Sequence, residues 1–369
     1  MSPPSSPAGS IRRMTTSVPP SEVALLRLVA QRVAGPRSPD AASAVRGLLA
    51  VQAQDLPGAL TSVALRTADR SRAGVDAALE SGAVVRSWPM RGTLHLTPAE
   101  DLAWMLDLLG SRALAGAAKR REVVGLTLDD LERSRGVAVA ALTGGRRLGR
   151  RELLATLADG GCDVAGQKGY HTLWFLSQTG TLVLGPPEAG DQAFVLLDEW
   201  VPEPRRLPRE EALAELALRF FTGHGPATVA DLVRWGGTTV RDARAGLAAV
   251  RDRLAAVDVD GTEMLLDPEV PGRLAGCRAE AEGLHLLPGF DEVVLGYADR
   301  TCTVPAEHAD RIVPGGNGVF RPTVVVGGCA VGTWRWTGTG ARRAVTAEPF
   351  TAFPAGVAER VPELAAALP

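Results

Sequence analysis

His224-Gly225-Pro226-Ala227-Thr228-Val229-Ala230-Asp231-Leu232-Val233-Arg234-Trp235, followed by Gly236-Gly237 and the run Thr238 to Val250, reads as helix, glycine turn, helix. Val257 to Asp260 and Glu263 to Leu266, joined around Gly261, then form a hairpin. Two helices across a short turn with a hairpin beside them are the outline of a winged helix. Working backwards, Gly149 to Leu157 and Lys168 to Thr179 make a second pair of helices. The strands Thr181 to Gly185 and Ala193 to Leu197, across the turn Gly185 to Asp191, are its hairpin. Between these two groups, Arg209 to Thr222 is amphipathic, with Leu213, Leu216, Ala217 and Phe220 on one side.

The same order opens the chain. Ser21 caps a helix to about Ala34, Gly35-Pro36 stops it, and Ser38 or Asp40 caps a second to about Leu49. After the turn Pro57-Gly58, Ala59 to Arg66 and Gly74 to Ser81 read as two more short helices, and Val84 to Leu96 as a pair of short strands. From Pro98 helical patterning continues with breaks to about Leu142. Helix-plus-hairpin groups without a fixed period predict an α+β, mainly α chain of tandem winged-helix domains rather than a solenoid. Phe320 to Val326 and Ala330 to Trp336 alternate as strands across Gly327-Gly328, so a C-terminal β-hairpin-rich region is expected. The expected division is a disordered leader rich in Pro and Ser at 1–20 and a first winged helix with a helical extension at 21–143. A second winged helix at 144–222 and a third with the C-terminal region at 223–369 complete it.

At 369 residues the chain exceeds one ordinary core, and with 46% apolar residues it can fill more than one. It has no apolar run of membrane-spanning length, and Met1 to Pro20 lacks the apolar centre of a signal peptide, so a soluble cytoplasmic protein is expected. Cys162, Cys277, Cys302 and Cys329 lie far apart, and His171, His224, His285 and His308 show no ligand spacing, so neither metal nor cofactor is expected. The net charge of -2 argues against a uniformly basic nucleic-acid binder. The average conceals a local excess: between Arg112 and Arg151 ten Lys or Arg stand against four Asp or Glu, +6 by difference. Phosphate contact needs such a stretch, although a solvated helix surface would use the same residues. Of the 40 basic residues 38 are Arg, a bias of composition rather than of recognition.

Leu48-Leu49-Ala50-Val51-Gln52-Ala53-Gln54-Asp55-Leu56-Pro57-Gly58 ends an apolar run in two glutamines separated by an alanine. If Val51 to Asp55 is extended, Gln52 and Gln54 point to one side while Val51 and Ala53 enter the core. Carboxamides donate and accept hydrogen bonds but take no proton near neutral pH, so the pair can hold a water yet cannot act as a strong base. The alternative is that both glutamines satisfy backbone groups at the end of an element. Asp55 would point away from Gln54 and cap the helix that follows. Arg91 and Thr93 share a strand face with His95; the first two suit phosphate contacts, and His95 either orients a phosphate or the substrate or is a satisfied half-buried histidine. Asp291, Glu292, Asp299 and Arg300 read as an internal ion-pair and capping network. Trp334 and Trp336 alternate with Arg335, giving an aromatic face for core packing or groove insertion and a basic face opposite.

Val51 to Arg66, VQAQDLPGALTSVALR, followed by Arg91-Gly92-Thr93-Leu94-His95-Leu96, resembles the front of the AlkZ-type winged-helix DNA glycosylases. Leu284 to Arg300 and Asn317 to Val326 resemble further blocks of that family, so the likeness runs from about Ser21 to the end. The family's catalytic motif is Gln, apolar residue, Gln, which Gln52, Ala53 and Gln54 match position by position. The resemblance implies a metal-independent glycosylase that cleaves cationic N7-alkylguanine from DNA, with Gln52 and Gln54 positioning water and no cofactor. No lysine or amine nucleophile accompanies the motif, so a monofunctional enzyme is expected. Some members carry Asp in place of the second Gln; Gln54 places the chain with the group tied to bulky adducts and interstrand crosslinks. The residues expected to bind substrate or DNA are Arg91, Thr93, His95, Arg146, Arg147, Arg150 and Arg335. The expected partner is double-stranded DNA with alkylated or crosslinked guanine, met by a monomer at the nucleoid. A winged-helix regulator without catalysis and a drug-sequestering self-resistance protein are the alternatives, because a fold does not fix a function.

Overall fold

The computed structural model describes residues 16–186, 193–338 and 343–369. Helices Ala41–Leu48, Leu56–Leu65 and Arg72–Glu80 lead into the hairpin Val84–Met90 and Thr93–Pro98. The order returns in Leu128–Leu142, Arg150–Asp159 and Gln167–Gln178 with strands Leu182–Leu184 and Ala193–Leu196. It returns again in Arg209–His224, Val229–Gly236 and Val240–Val250 with strands Ala255–Val259 and Thr262–Leu266. The chain is thus a mainly helical α+β protein built on helix groups that end in wings. The Asp40 carboxylate starts its helix as expected, accepting from Ser43 N at 2.7 Å, whereas Ser21, expected to cap the first helix, lies inside it and the cap position is Pro19, without a side-chain hydrogen bond. Thr127 with Asp130 and Thr228 with Asp231 close reciprocal capping boxes, each cap worth about 1 kcal/mol.

The first two wings merge. A six-stranded sheet runs in the order Val51–Gln52, Thr93–Pro98, Val84–Met90, Leu182–Leu184, Ala193–Leu196, Leu148–Gly149. The sheet therefore crosses the boundary expected near residue 143. Trp104, Phe220, Phe221 and Trp235 share one core that ties the first group to the third. Helix Pro20–Ala30 is buried from Val23 through Ala30, on every face; Arg27, the one charged residue in that run, donates to Pro226 O at 3.0 Å and lies over the Tyr297 ring. The helix packs with helix Val270–Ala281 and the third wing.

Part of the stretch expected as a disordered leader is structured: Thr16 and Ser17 pair in parallel with Val257 and Asp258, and the first helix begins at Pro20. The rest of that leader, 1–15, lies outside the described residues, as do 187–192 of the turn in the second hairpin. The C-terminal region is an antiparallel sheet of Leu284–Leu287, Thr323–Val326, Cys329–Thr337 and Ala344–Pro349, covered by helix Val357–Ala366. Sequence patterning showed only its two central strands, joined by a tight glycine turn. Leu284–Leu287 is separated from its neighbour Thr323–Val326 by a long connection, and Ala344–Pro349, which follows Thr337 after six residues, lacks the tight glycine turn that marks the central pair. Among the described residues no helix is long and apolar enough to cross a membrane.

Candidate active site

Val51–Gln52 is an edge strand in register with Leu96 and His95, and Ala53 N extends the ladder to Leu94 O at 2.8 Å. The chain then bends, so the extended run expected as far as Asp55 stops at Ala53. Gln52 is 6% exposed and Gln54 is exposed. Both carboxamide oxygens nevertheless turn to the same strand. Thr93 Oγ1 donates to Gln52 Oε1 at 3.4 Å and Leu94 N donates to Gln54 Oε1 at 2.9 Å. The glutamines converge through side-chain reach rather than a shared strand face. Among the described residues neither amide nitrogen has a protein partner, and each oxygen retains a second lone pair.

The backbone of the motif is clamped from two sides. Glu292, fully buried, accepts from Gln52 N at 2.9 Å through Oε1 and from Trp235 Nε1 at 2.9 Å through Oε2. His224 Nε2 lies 3.4 Å from the same Oε2. Burial works to raise the Glu292 pKa, but His224, Gln52 N and Trp235 outweigh it, and the carboxyl titrates below its ordinary value. Its short helix is capped by Asp291, which accepts from Val293 N and holds Arg66 in a bidentate pair at 2.9 Å. Opposite, Arg86 Nε and Nη2 donate to Ala53 O at 3.1 and 2.6 Å. Burial brings the Arg86 pKa down to about 10, so the guanidinium stays charged near neutral pH. The sequence reading of Glu292 as part of an internal network missed its link to Gln52, and His224 was assigned no task. No local signal joins Glu292 to a residue 240 positions earlier.

Arg91 (φ 56°) and Gly92 (φ 70°) form the tight turn between Met90 and Thr93. Both residues are left-handed, as a two-residue hairpin with the sheet's twist requires, and for Arg91 this costs roughly 1 kcal/mol or more. Arg91 Nη2 lies 3.0 Å from His95 Nε2, and His95 Nδ1 lies 2.9 Å from Thr93 O. Burial, and then the charge of Arg91, push the His95 pKa down to about 3. The imidazole is therefore neutral, donating from Nδ1 to Thr93 O and accepting from Arg91 at Nε2. Of the two readings of His95 the structure fits the satisfied histidine, buried completely rather than by half: the ring has no exposed surface and holds Arg91. Arg91 is half-buried and Thr93 is beside Gln52, so both stand at the site.

Asp55 occupies the cap position of helix Leu56–Leu65, but its side chain makes no capping hydrogen bond. This corrects the capping role expected of it. The exposed carboxylate lines a cavity of about 420 Å³ together with Gly289, Arg335, Trp336 and Arg343, so Arg335 shares a cavity with the residue that follows Gln54. The tryptophans divide: Trp334 is buried and donates to Leu287 O at 2.9 Å. Trp336 is 36% exposed beneath the Arg343 guanidinium. Arg146 closes the end of helix Leu128–Leu142 through Ala140 O and Thr143 O. Arg147 pairs with Glu80 at 2.8 Å and covers Trp200, while Arg150 lies over Tyr170. These three flank Leu148–Gly149, the opposite edge of the six-stranded sheet from Gln52. Five strand spacings put them roughly 24 Å away, so they are not brought together with the glutamines.

Residues 45–368 match the family model described as DNA glycosylase AlkZ-like. The interstrand DNA cross-link repair glycosylase of Streptomyces sahachiroi is 29% identical over 313 residues, 81% of this chain and 83% of that protein. The structure of Streptomyces sahachiroi DNA glycosylase AlkZ superposes with a TM-score of 0.78 at 25% identity, covering 94% of this chain and 95% of that one. The helix groups, their wings and the C-terminal sheet are thus a shared architecture, and this chain belongs to the AlkZ-like DNA glycosylases, enzymes that hydrolyse N-glycosyl bonds.

Proposed function

We propose that the protein excises cationic N7-alkylguanine from double-stranded DNA, including bulky adducts and interstrand crosslinks of the kind named for the Streptomyces sahachiroi relative. The observation that carries this reading is the pair of carboxamides, Gln52 and Gln54, held on one strand by a backbone gripped at Gln52 N and Ala53 O. N-glycosidic hydrolysis passes through an oxocarbenium-like sugar. When N7 carries an alkyl group the purine is already cationic. The C1′–N9 electron pair then neutralises the departing ring without protonation of the base. Water forms the new C1′–O bond and loses its proton to solvent, and the two amides fix that water. His95 cannot supply a general acid near neutral pH because it is buried and neutral. Asp55, exposed and next in the chain to Gln54, would supply a negative charge near the sugar as it becomes positive.

The test is alkaline strand scission of duplexes carrying N7-methylguanine or a nitrogen-mustard crosslink after incubation with the protein. Gln52→Ala and Gln54→Ala should each slow single-turnover excision by about 100-fold, the cost of losing one positioned polar group, with duplex affinity retained. Undiminished excision in both variants would remove the glutamines from the mechanism. Absence of excision by the unaltered protein would favour a DNA-binding role without catalysis.

A further inference from the structure

A second cavity, of about 720 Å³, opens between helix Glu292–Leu295 and the segment from Asp299 to Phe320. Its volume falls in the range of clefts that enclose a drug-sized molecule. Val294, Val304, Ile312 and Phe320 give it an apolar floor, and the guanidinium groups of Arg234 and Arg300 stand on its wall. Among the described residues neither arginine meets a carboxylate in an ion pair. Arg300 spends Nε on Val294 O at 2.9 Å and stacks over Phe320, while its buried Nη2 has no partner. The two carboxylates on the lining are turned to their own loops, Asp299 to Thr301 and Asp310 to Gly315 N. Two guanidinium groups without a direct ion pair over an apolar floor suit a ligand that is anionic at one end and apolar at the other.

The place of this cavity says which ligand. Arg234 lies close enough to Arg91 for their charges to oppose one another. Gly237, three residues on, approaches the Arg91 side chain so closely that a Cβ there would stand 2.9 Å from Arg91 Cγ. Arg91 in turn holds His95, whose strand partner is Gln52. Val294 is two residues from Glu292, which holds Gln52 N. The cavity therefore neighbours the glutamine site, with Arg91 and Arg234 standing between the two.

We infer that this chamber receives the organic substituent of a bulky N7 adduct, with a neighbouring phosphate of the damaged strand on Arg234 and Arg300. The inference rests on the function proposed above and adds where the non-nucleotide part of the lesion goes. A methyl group leaves the chamber empty, and an aromatic alkylator residue fills it.

Ala309 and Ala306 line the chamber and are exposed, so a large side chain can be introduced at either without disturbing a core. The experiment compares single-turnover excision of N7-methylguanine with that of the N7-guanine monoadduct of an aromatic nitrogen mustard, for the unaltered protein, Ala309→Trp and Ala306→Trp. Thermal melting checks that each variant is folded. The expected result is that at least one folded variant lowers the mustard-to-methyl rate ratio by about tenfold or more, the scale of discrimination that a filled apolar pocket gives. An unchanged ratio in folded variants, with both adducts excised, overturns the chamber and leaves the catalytic reading standing. Failure of the unaltered protein on both adducts overturns the two together.

Discussion

At Glu292 one buried carboxylate serves two N–H donors, those of Gln52 and Trp235. In Glu292→Gln one of them must face an amide NH₂ group, so a buried donor is left unpaired at a cost of about 1–3 kcal/mol. Chemical denaturation should show that loss. Single-turnover excision should fall about tenfold through misplacement of Gln52, at unchanged duplex affinity. A stability loss with the excision rate unaltered would make the carboxylate structural only. His95 makes a prediction of opposite kind. The folded protein keeps it neutral down to a pKa of about 3, whereas in the unfolded chain it takes a proton below about pH 6.5. Within that window acidification favours the unfolded chain, by about 1.4 kcal/mol per pH unit; above it the residue contributes no pH dependence. His95→Gln should flatten the decline of stability between pH 6.5 and 4 measured by urea unfolding. Equal slopes in both proteins would show that the ring is not shielded as its burial implies.

Two adjacent glycines between helices Val229–Gly236 and Val240–Val250 differ in what the fold asks of them. Gly237 has φ of 64°, and its missing Cβ admits Arg91. Gly236 is helical, and a Cβ there would meet only ordinary contacts at 3.8 Å or more. Gly237→Ala should cost about 1 kcal/mol from the left-handed backbone alone and should displace Arg91, lowering excision. Gly236→Ala should be nearly neutral in melting temperature and activity. Matching behaviour of the two variants would mean that the turn does not support the Arg91 hairpin. The glycine pair was plain in the sequence. Which of the two meets another hairpin was not, because the contact spans the distance from residue 91 to residue 237.

Within the whole molecule the basic stretch from Arg112 to Arg151 begins on an open helix. Helix Ser111–Val124 buries none of its residues, and Arg112 and Lys119 stand exposed on it, in no ion pair among the described residues. If this surface follows the duplex, Arg112→Gln with Lys119→Gln should reduce the slope of log affinity against log salt by about 2, near 0.9 per phosphate lost. Fluorescence anisotropy with an undamaged duplex at several salt concentrations measures this. Arg147→Gln should change the slope less, because Arg147 is already committed to Glu80 and Trp200. A larger effect at Arg147 would relocate the DNA track to the far edge of the six-stranded sheet.

The sequence by itself determined the helix groups, the Asp40 cap, the hairpins with glycine turns and the glutamine motif. Each of these is encoded within a few residues, by apolar spacing, by a side chain reaching its own backbone, or by a left-handed turn. Tertiary structure alone decided that Glu292 and Arg86 grip the motif, that His95 is sealed and neutral, and that Asp55 lies open to a cavity instead of capping its helix. It also set Arg335 in the cavity that Asp55 lines and Arg146, Arg147 and Arg150 across the sheet. Burial and partnership depend on which distant segments close over a residue, and no short-range pattern records that closure.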